Sequence, residues 1–339
     1  MDTNKPELPE GFIDMYAPQA APAEEPKPPL YNRFLEAGRE GLNKFHHYLG
    51  TSSLAIGGYL LGQIPLLILM GIAIAKGYLD PKDPELASKM LNPEVLHQPP
   101  WLFLACELFI FVLGMLGLWI GVRFIQKKKF LSIITGHKPF RTKRLLSGIL
   151  VWGALQIILL IIAMWQSPGD FEYTFNLSQF IPVLVVAVLM LPVQTWFEEF
   201  YVRGNLLQGF ALATKSPWIS ILITSVIFAG LHMFNPEAEK YGRLAVLPQY
   251  MLPAILFGVI TVLDEGLELA MGMHLINNLF GTVVLTSSDS AIQASTIWRN
   301  NAPLNMTAEN ISYTIIMLVV IAFLWWRYKW KADKLFRVY

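Results

Sequence analysis

The sequence predicts an all-α, polytopic membrane helix bundle with about eight transmembrane helices, and three observations carry that expectation. Of the 339 residues, 54% are hydrophobic and 15% charged, where soluble domains carry about 25% charged residues. Eight apolar segments approach the ~20 residues that cross a hydrocarbon core. They lie at 52–76, 100–124, 145–166, 179–203, 217–234, 247–264, 268–286 and 311–328. The connections between them differ sharply in Lys and Arg content.

Taken in order, residues 1–30 are rich in Pro and Glu and read as a disordered tail. No apolar run opens the chain, so no cleavable signal peptide is expected. Residues 31–50, "YNRFLEAGREGLNKFHHYLG", place Leu35, Leu42, Phe45 and Leu49 at helical spacing with basic neighbours. That pattern predicts an amphipathic helix in the membrane interface, with His46 and His47 as interfacial residues rather than metal ligands. Residues 51–144 comprise two spans and a basic loop, 145–290 a polar-studded core, and 291–339 the last span and a basic tail. The single cysteine, Cys106, excludes an intramolecular disulfide and a cysteine metal site; it reads as a packed thiol. No repeat relates the spans, so inverted-repeat transporter symmetry is not indicated.

Orientation follows from the basic residues. The connection at 123–144 holds Arg123, Lys127, Lys128, Lys129, Lys138, Arg141, Lys143 and Arg144, whereas "SPGDFEYTFN" has none and the tail "RYKWKADKLFRVY" is basic again. The expected location is the inner (plasma) membrane, with both termini cytoplasmic and Glu198, Glu199 and Arg203 in the cytoplasmic half of the fourth span.

Those three residues, in "TWFEEFYVRG", pose the functional question, because each ionisable side chain at mid-membrane costs roughly 2.5–3.5 kcal/mol. On a helix Glu199 and Arg203 are four apart, in the order that favours an ion pair. Glu198 is turned about 100° away and has no partner on its own helix. The fifth span sets Phe228 and His232 on one face before Asn235-Pro236 ends it, and the seventh sets His274 and Asn278 on one face. Counted from the turn near Lys215, Glu198 and His232 reach similar depth. His274 is shallower unless the turn before it is sunk into the protein.

At these positions the sequence resembles the CAAX protease and bacteriocin-processing family of intramembrane proteases, in particular the type II CAAX prenyl endopeptidases. Glu198, Glu199 and Arg203 meet Glu-Glu-x-x-x-Arg, Phe228 and His232 meet Phe-x-x-x-His, and His274 and Asn278 meet His-x-x-x-Asn. The resemblance spans roughly 145–290. It implies an intramembrane endopeptidase in which Glu198, with His232, activates water while His274 and Asn278 face the oxyanion; Glu199, Arg203 and Phe228 support them. Its expected partners are the lipid bilayer and a membrane-embedded or lipidated peptide or protein, with no nucleic acid. No cofactor is required on this reading. The rival is a zinc enzyme with Glu198, His232 and His274 as ligands, although the His-Glu-x-x-His signature is absent. A proton-coupled transporter or a non-catalytic immunity scaffold are readings of another class.

The charge pattern makes a direct prediction: reporter fusions at Lys127–Lys129 and at either terminus score as cytoplasmic. An external signal at Lys127–Lys129 rejects the orientation.

Overall fold

A computed structural model describes residues 32–83, 86–90, 92–287, 295–303 and 305–336; the expected tail, 1–30, lies outside them. Helix α1 (Arg33–Ala37) leads to α2 (Phe45–Leu61) and α3 (Ile64–Ala75), which follow one another as a first long apolar stretch. Short α4 (Leu86–Met90) precedes α5 (Pro100–Ile120), continued to Ile125 by a π-helical turn. Then come α6 (Thr142–Gln166), α7 (Leu177–Glu199), α8 (Leu207–Thr214), α9 (Pro217–His232), α10 (Pro236–Tyr241), α11 (Arg243–Asp264), α12 (Glu268–Val283) and α13 (Met306–Tyr328). A π-helical stretch, Phe200–Leu206, joins α7 to α8, so the fourth span runs unbroken from Leu177 to Thr214.

The chain is an all-α polytopic bundle, but among the described residues six helices, not eight, are long and apolar enough to cross a membrane. The expected fifth and seventh spans are α9 and α12, of 16 residues each. That is about 24 Å of helix against a hydrocarbon core of ~30 Å. These two short helices carry His232 and His274. Helix α9 stops because Pro236 follows Asn235 and begins a new helix.

Helix α12 is surrounded by α6, α7 and α11, and Glu268 to His274 are all buried. It approaches α6 closely because both present glycine at the crossing. A Cβ on Gly272 would strike the Leu145 carbonyl, and one on Gly148 the Leu269 carbonyl. Small residues that let backbones meet are the usual packing device of membrane helices.

The sharpest departure from hydropathy lies in the turn from α11 to α12. Asp264, Glu265 and Glu268 are buried there. Arg141 clamps Glu268 with two bonds (Nη2–Oε2 2.6 Å, Nε–Oε1 3.1 Å) and also reaches Asp264 Oδ2 at 3.0 Å. Arg144 and the Trp330 indole N–H meet Asp264 Oδ1 at 3.3 and 3.0 Å, and Lys334 meets Glu265 at 3.1 Å. Bidentate Arg–carboxylate pairs are the strong kind, and together they let an acidic turn sit inside the protein. The burial of Arg141 opposes its charge, but Glu268, Asp264 and Glu265 prevail and hold the guanidinium above its ordinary range.

The expected interfacial helix over 31–50 is instead two pieces with different surroundings. Phe34 and Leu35 of α1 are buried, the Asn32 side chain donates to the Val262 carbonyl at 2.7 Å, and the Arg33 amide donates to Glu265 at 2.9 Å. This piece is docked on the sunk turn. The remainder, from Phe45, is the first turn of the first span, where Phe45 and Leu49 face outward. A small sheet, unforeseen because its strands have three residues each, orders β1 (Phe171–Tyr173), β3 (Trp298–Asn300) and β2 (Leu285–Ser287). β1 pairs antiparallel and β2 parallel with β3, which ties the α6–α7 connection to the α12–α13 connection.

One residue of the basic loop is itself buried. Lys128 has no exposed surface, and its Nζ donates to the Tyr48 hydroxyl at 2.9 Å. Burial pushes its ammonium down to about 8 from an ordinary 10.5, against a weaker opposing pull from Glu40. A lysine lowered on folding costs stability wherever the native state must hold its charge. The penalty is therefore fully present below about 8 and relieved as pH rises toward the unfolded value, where the unfolded chain binds more protons than the native one. We expect the melting temperature of the detergent-solubilised protein to rise between pH 8 and 10 from this source. Lys128→Met should flatten that part of the profile and raise the melting temperature at pH 7. An unchanged pH slope in the variant rejects the account.

Candidate active site

Glu199 organises the site. It is fully buried, and its Oε1 accepts from Arg203 Nη1 at 2.9 Å and faces His274 Nδ1 at 2.8 Å. Arg203, 1% exposed, also donates to the Ala254 carbonyl at 3.4 Å. Its guanidinium lies 4.4 Å above the Phe228 ring and 5.8 Å from the Phe257 ring, an arrangement that stabilises a desolvated cation. The Glu199–Arg203 pair expected from helical spacing is thus present, and Phe228 serves it as a ring face.

His274 is placed differently from the sequence expectation. Its Nε2 stands 3.5 Å from Glu198 Oε2, so one imidazole bridges the two adjacent carboxylates. The sunk α11–α12 turn carries His274 to the depth of Glu198, which a count from a surface turn does not reach. His232, expected opposite Glu198, makes its polar contact with its own helix: its Nδ1 is 2.8 Å from the Phe228 carbonyl. A carbonyl only accepts, so Nδ1 carries the hydrogen. The His232 ring packs on Phe228 and Tyr250, with centroids 4.4 and 4.6 Å away.

Glu198, His232, His274 and Asn278 all line one cavity of about 450 Å³, and no Ser, Cys, Lys or Arg is among its lining residues. The orientation of Asn278 can be deduced. The Trp152 indole, which only donates, and Gln156 both bond Asn277 Oδ1, at 3.1 and 3.2 Å. That fixes the Asn277 amide, whose Nδ2 donates to Asn278 Oδ1 at 3.2 Å. That identifies the other end of the Asn278 amide as the donor Nδ2, on a residue that lines the cavity.

The sequence reading overlooked Asn277 and Trp152, and also a second polar group at the cavity wall. There Asn235 donates to the Tyr250 hydroxyl at 2.8 Å, and that hydroxyl bonds Glu237. The signal was available, since Asn235 and Glu237 flank the proline that ends α9, but hydropathy places them outside any span. Another carboxylate inside an apolar run, Glu107 of α5, buries its Oε2 without a hydrogen-bond partner among the described residues; it does not line the cavity.

Glu198, His232 and His274, the set named for zinc, all line this cavity. Among the described residues no three His, Cys, Asp or Glu side chains converge as metal ligands, and His274 turns a nitrogen to each of two carboxylates.

Fold and site together define a multi-pass helical membrane protein built around a buried carboxylate–histidine–arginine centre. Residues 177–280, from the start of α7 into α12, match the family model described as Type II CAAX prenyl endopeptidase Rce1-like. The match contains all three motifs, so the resemblance read from them holds over this segment. Over 253 residues the chain is 29% identical to the "Uncharacterized protein YyaK" of Bacillus subtilis (strain 168), covering 74% of this chain and 81% of that one. No solved structure matches.

The geometry separates the two glutamates experimentally. Glu199→Gln strands the buried Arg203, and losing one partner of such a pair costs about 3–5 kcal/mol. We expect a clear fall in melting temperature and expression, partly restored by adding Arg203→Met, which removes the orphaned charge. A Glu199→Gln protein as stable as the parent overturns the structural role.

Proposed function

We propose that the chain is an intramembrane endopeptidase that hydrolyses a peptide bond of a membrane-associated or lipidated protein or peptide, with water activated by Glu198. The observation that carries this is that Glu198, His232, His274 and Asn278, from three different helices, all line one cavity. The Rce1-like match over 177–280 supports it.

In this mechanism the substrate carbonyl enters the cavity with a water between Glu198 and His232. His232 Nε2 accepts one water hydrogen and orients the molecule, while Glu198 takes the other as the oxygen attacks the carbonyl carbon. A carboxylate faces each nitrogen of His274. Its Nε2–H and the Asn278 amide donate to the developing oxyanion. The C–N bond then breaks as Glu198 passes its proton to the departing amine. Glu199 and Arg203 hold the His274 ring in place throughout. The site lies in the cytoplasmic half of an inner-membrane protein with both termini inside.

Glu198→Gln should abolish cleavage while the protein remains folded, and Asn278→Ala should lower kcat by roughly 10²–10³, the usual loss for one oxyanion donor. Purified protein offered peptide libraries provides the assay. A scaffold or a proton-relay transporter shows no Glu198-dependent cleavage. Activity should also survive exhaustive chelation; stoichiometric zinc lost and regained together with activity overturns the direct mechanism.

A further inference from the structure

A second cavity lies where the first span begins. It is a groove of about 740 Å³ between the first turns of α2 and helix α8, and it shares no lining residue with the active-site cavity. That volume is within the ~300–1,000 Å³ of ligand sites. Tyr48 packs on Gly209 at its floor, where an added Cβ would come within 2.8 Å of the ring. Its walls are largely apolar, with Phe45, Leu49, Leu206 and Phe210 among them. Phe45 and Leu49 are 82% and 55% exposed, and both belong to the stretch Phe45–Ala75 that is apolar enough to cross a membrane. The charged lining residues are Arg39 and Lys215, and no Asp or Glu lines the groove. Arg39 is 3.5 Å from Glu36 in a partly exposed pair, a contact of the weak kind. A third cation stands behind Tyr48: Lys128, with no exposed surface, donates to its hydroxyl at 2.9 Å.

An apolar groove with cations among its lining, at the end of a membrane-crossing stretch, fits one class of ligand. Juxtamembrane Lys and Arg attract anionic lipid headgroups, and an acyl chain covers apolar side chains such as Phe45 and Leu49. A soluble anion leaves those walls uncovered. A lipid of no net charge brings its own cation beside the phosphate and gains less from Arg39 and Lys215. We propose that this groove holds one anionic phospholipid, with its headgroup phosphate toward Arg39 and Lys215 and an acyl chain along Phe45, Leu49 and Phe210. The lipid would bridge α2 to α8, which continues the helix that carries Glu199 and Arg203. The site is independent of the endopeptidase reading.

The test mixes the detergent-solubilised full chain with equal amounts of phosphatidylglycerol and phosphatidylcholine of the same acyl chains, and counts retained lipid by native mass spectrometry. We expect one phosphatidylglycerol to be retained, in about tenfold preference over phosphatidylcholine. Arg39→Gln and Lys215→Asn should each lower that preference roughly fivefold, the usual effect of one cation near an anionic headgroup. Lys215 has a left-handed backbone (φ 55°), which asparagine tolerates, and melting temperatures without lipid check that both variants are folded. Phosphatidylglycerol should also raise the melting temperature of the parent more than that of either variant, because a ligand stabilises the state that binds it. Inorganic phosphate in large excess should leave the retained lipid unchanged; displacement by it marks a site for a soluble anion and overturns the lipid assignment. Equal retention of the two lipids by the parent overturns the proposal, and so does a preference that both variants keep. The comparison on the parent needs no variant, so it stands even if a substitution impairs folding.

Discussion

The site depends on one buried oxygen. Glu199 Oε1 meets both Arg203 and His274, which ties α7 and its π-helical continuation to α12 at a depth where no water competes. Without the arginine, burying that carboxylate would be prohibitively costly; without the carboxylate, His274 Nδ1 would lose its partner. The aromatic faces of Phe228 and Phe257 close the other side of the guanidinium. Phe228 in turn belongs to the helix that ends at His232. Elements that share no sequence proximity are thus held in register around a single ion.

A second ionic assembly makes the first possible. The acidic α11–α12 turn is buried because Arg141, Arg144 and Lys334 neutralise it, while the Asn32 side chain and the Arg33 amide dock α1 onto its backbone and Glu265. The basic loop is therefore more than a run of surface charge: two of its cations are structural ligands of the turn. Sinking the turn lets a 16-residue helix deliver His274 to Glu198. Loop, docked amino-terminal segment and carboxyl-terminal tail all act on the site through this one connection.

Around the cavity, orientation passes through neutral groups. An indole that can only donate sets one amide, and that amide sets the next. Asn278 is thus aimed by Trp152, a residue on α6 outside every motif. The Asn235–Tyr250–Glu237 chain is built the same way and gives the cavity wall its acidic character.

The sequence by itself determined the all-α membrane class, the ordered polar motifs and the Glu199–Arg203 pair. Each depends on composition or on spacing within one helix, and helical geometry fixes which side chains share a face. It left undetermined which histidine meets Glu198, how deeply the acidic turn before α12 is buried and what surrounds Asn278. Those depend on how far a turn is buried and which helices pack against which. Hydropathy counts Asp264, Glu265 and Glu268 as exposed, because the cost of burying them is offset by arginines more than a hundred residues away. Only the tertiary structure brings those charges together, and the depth of His274 follows from that pairing.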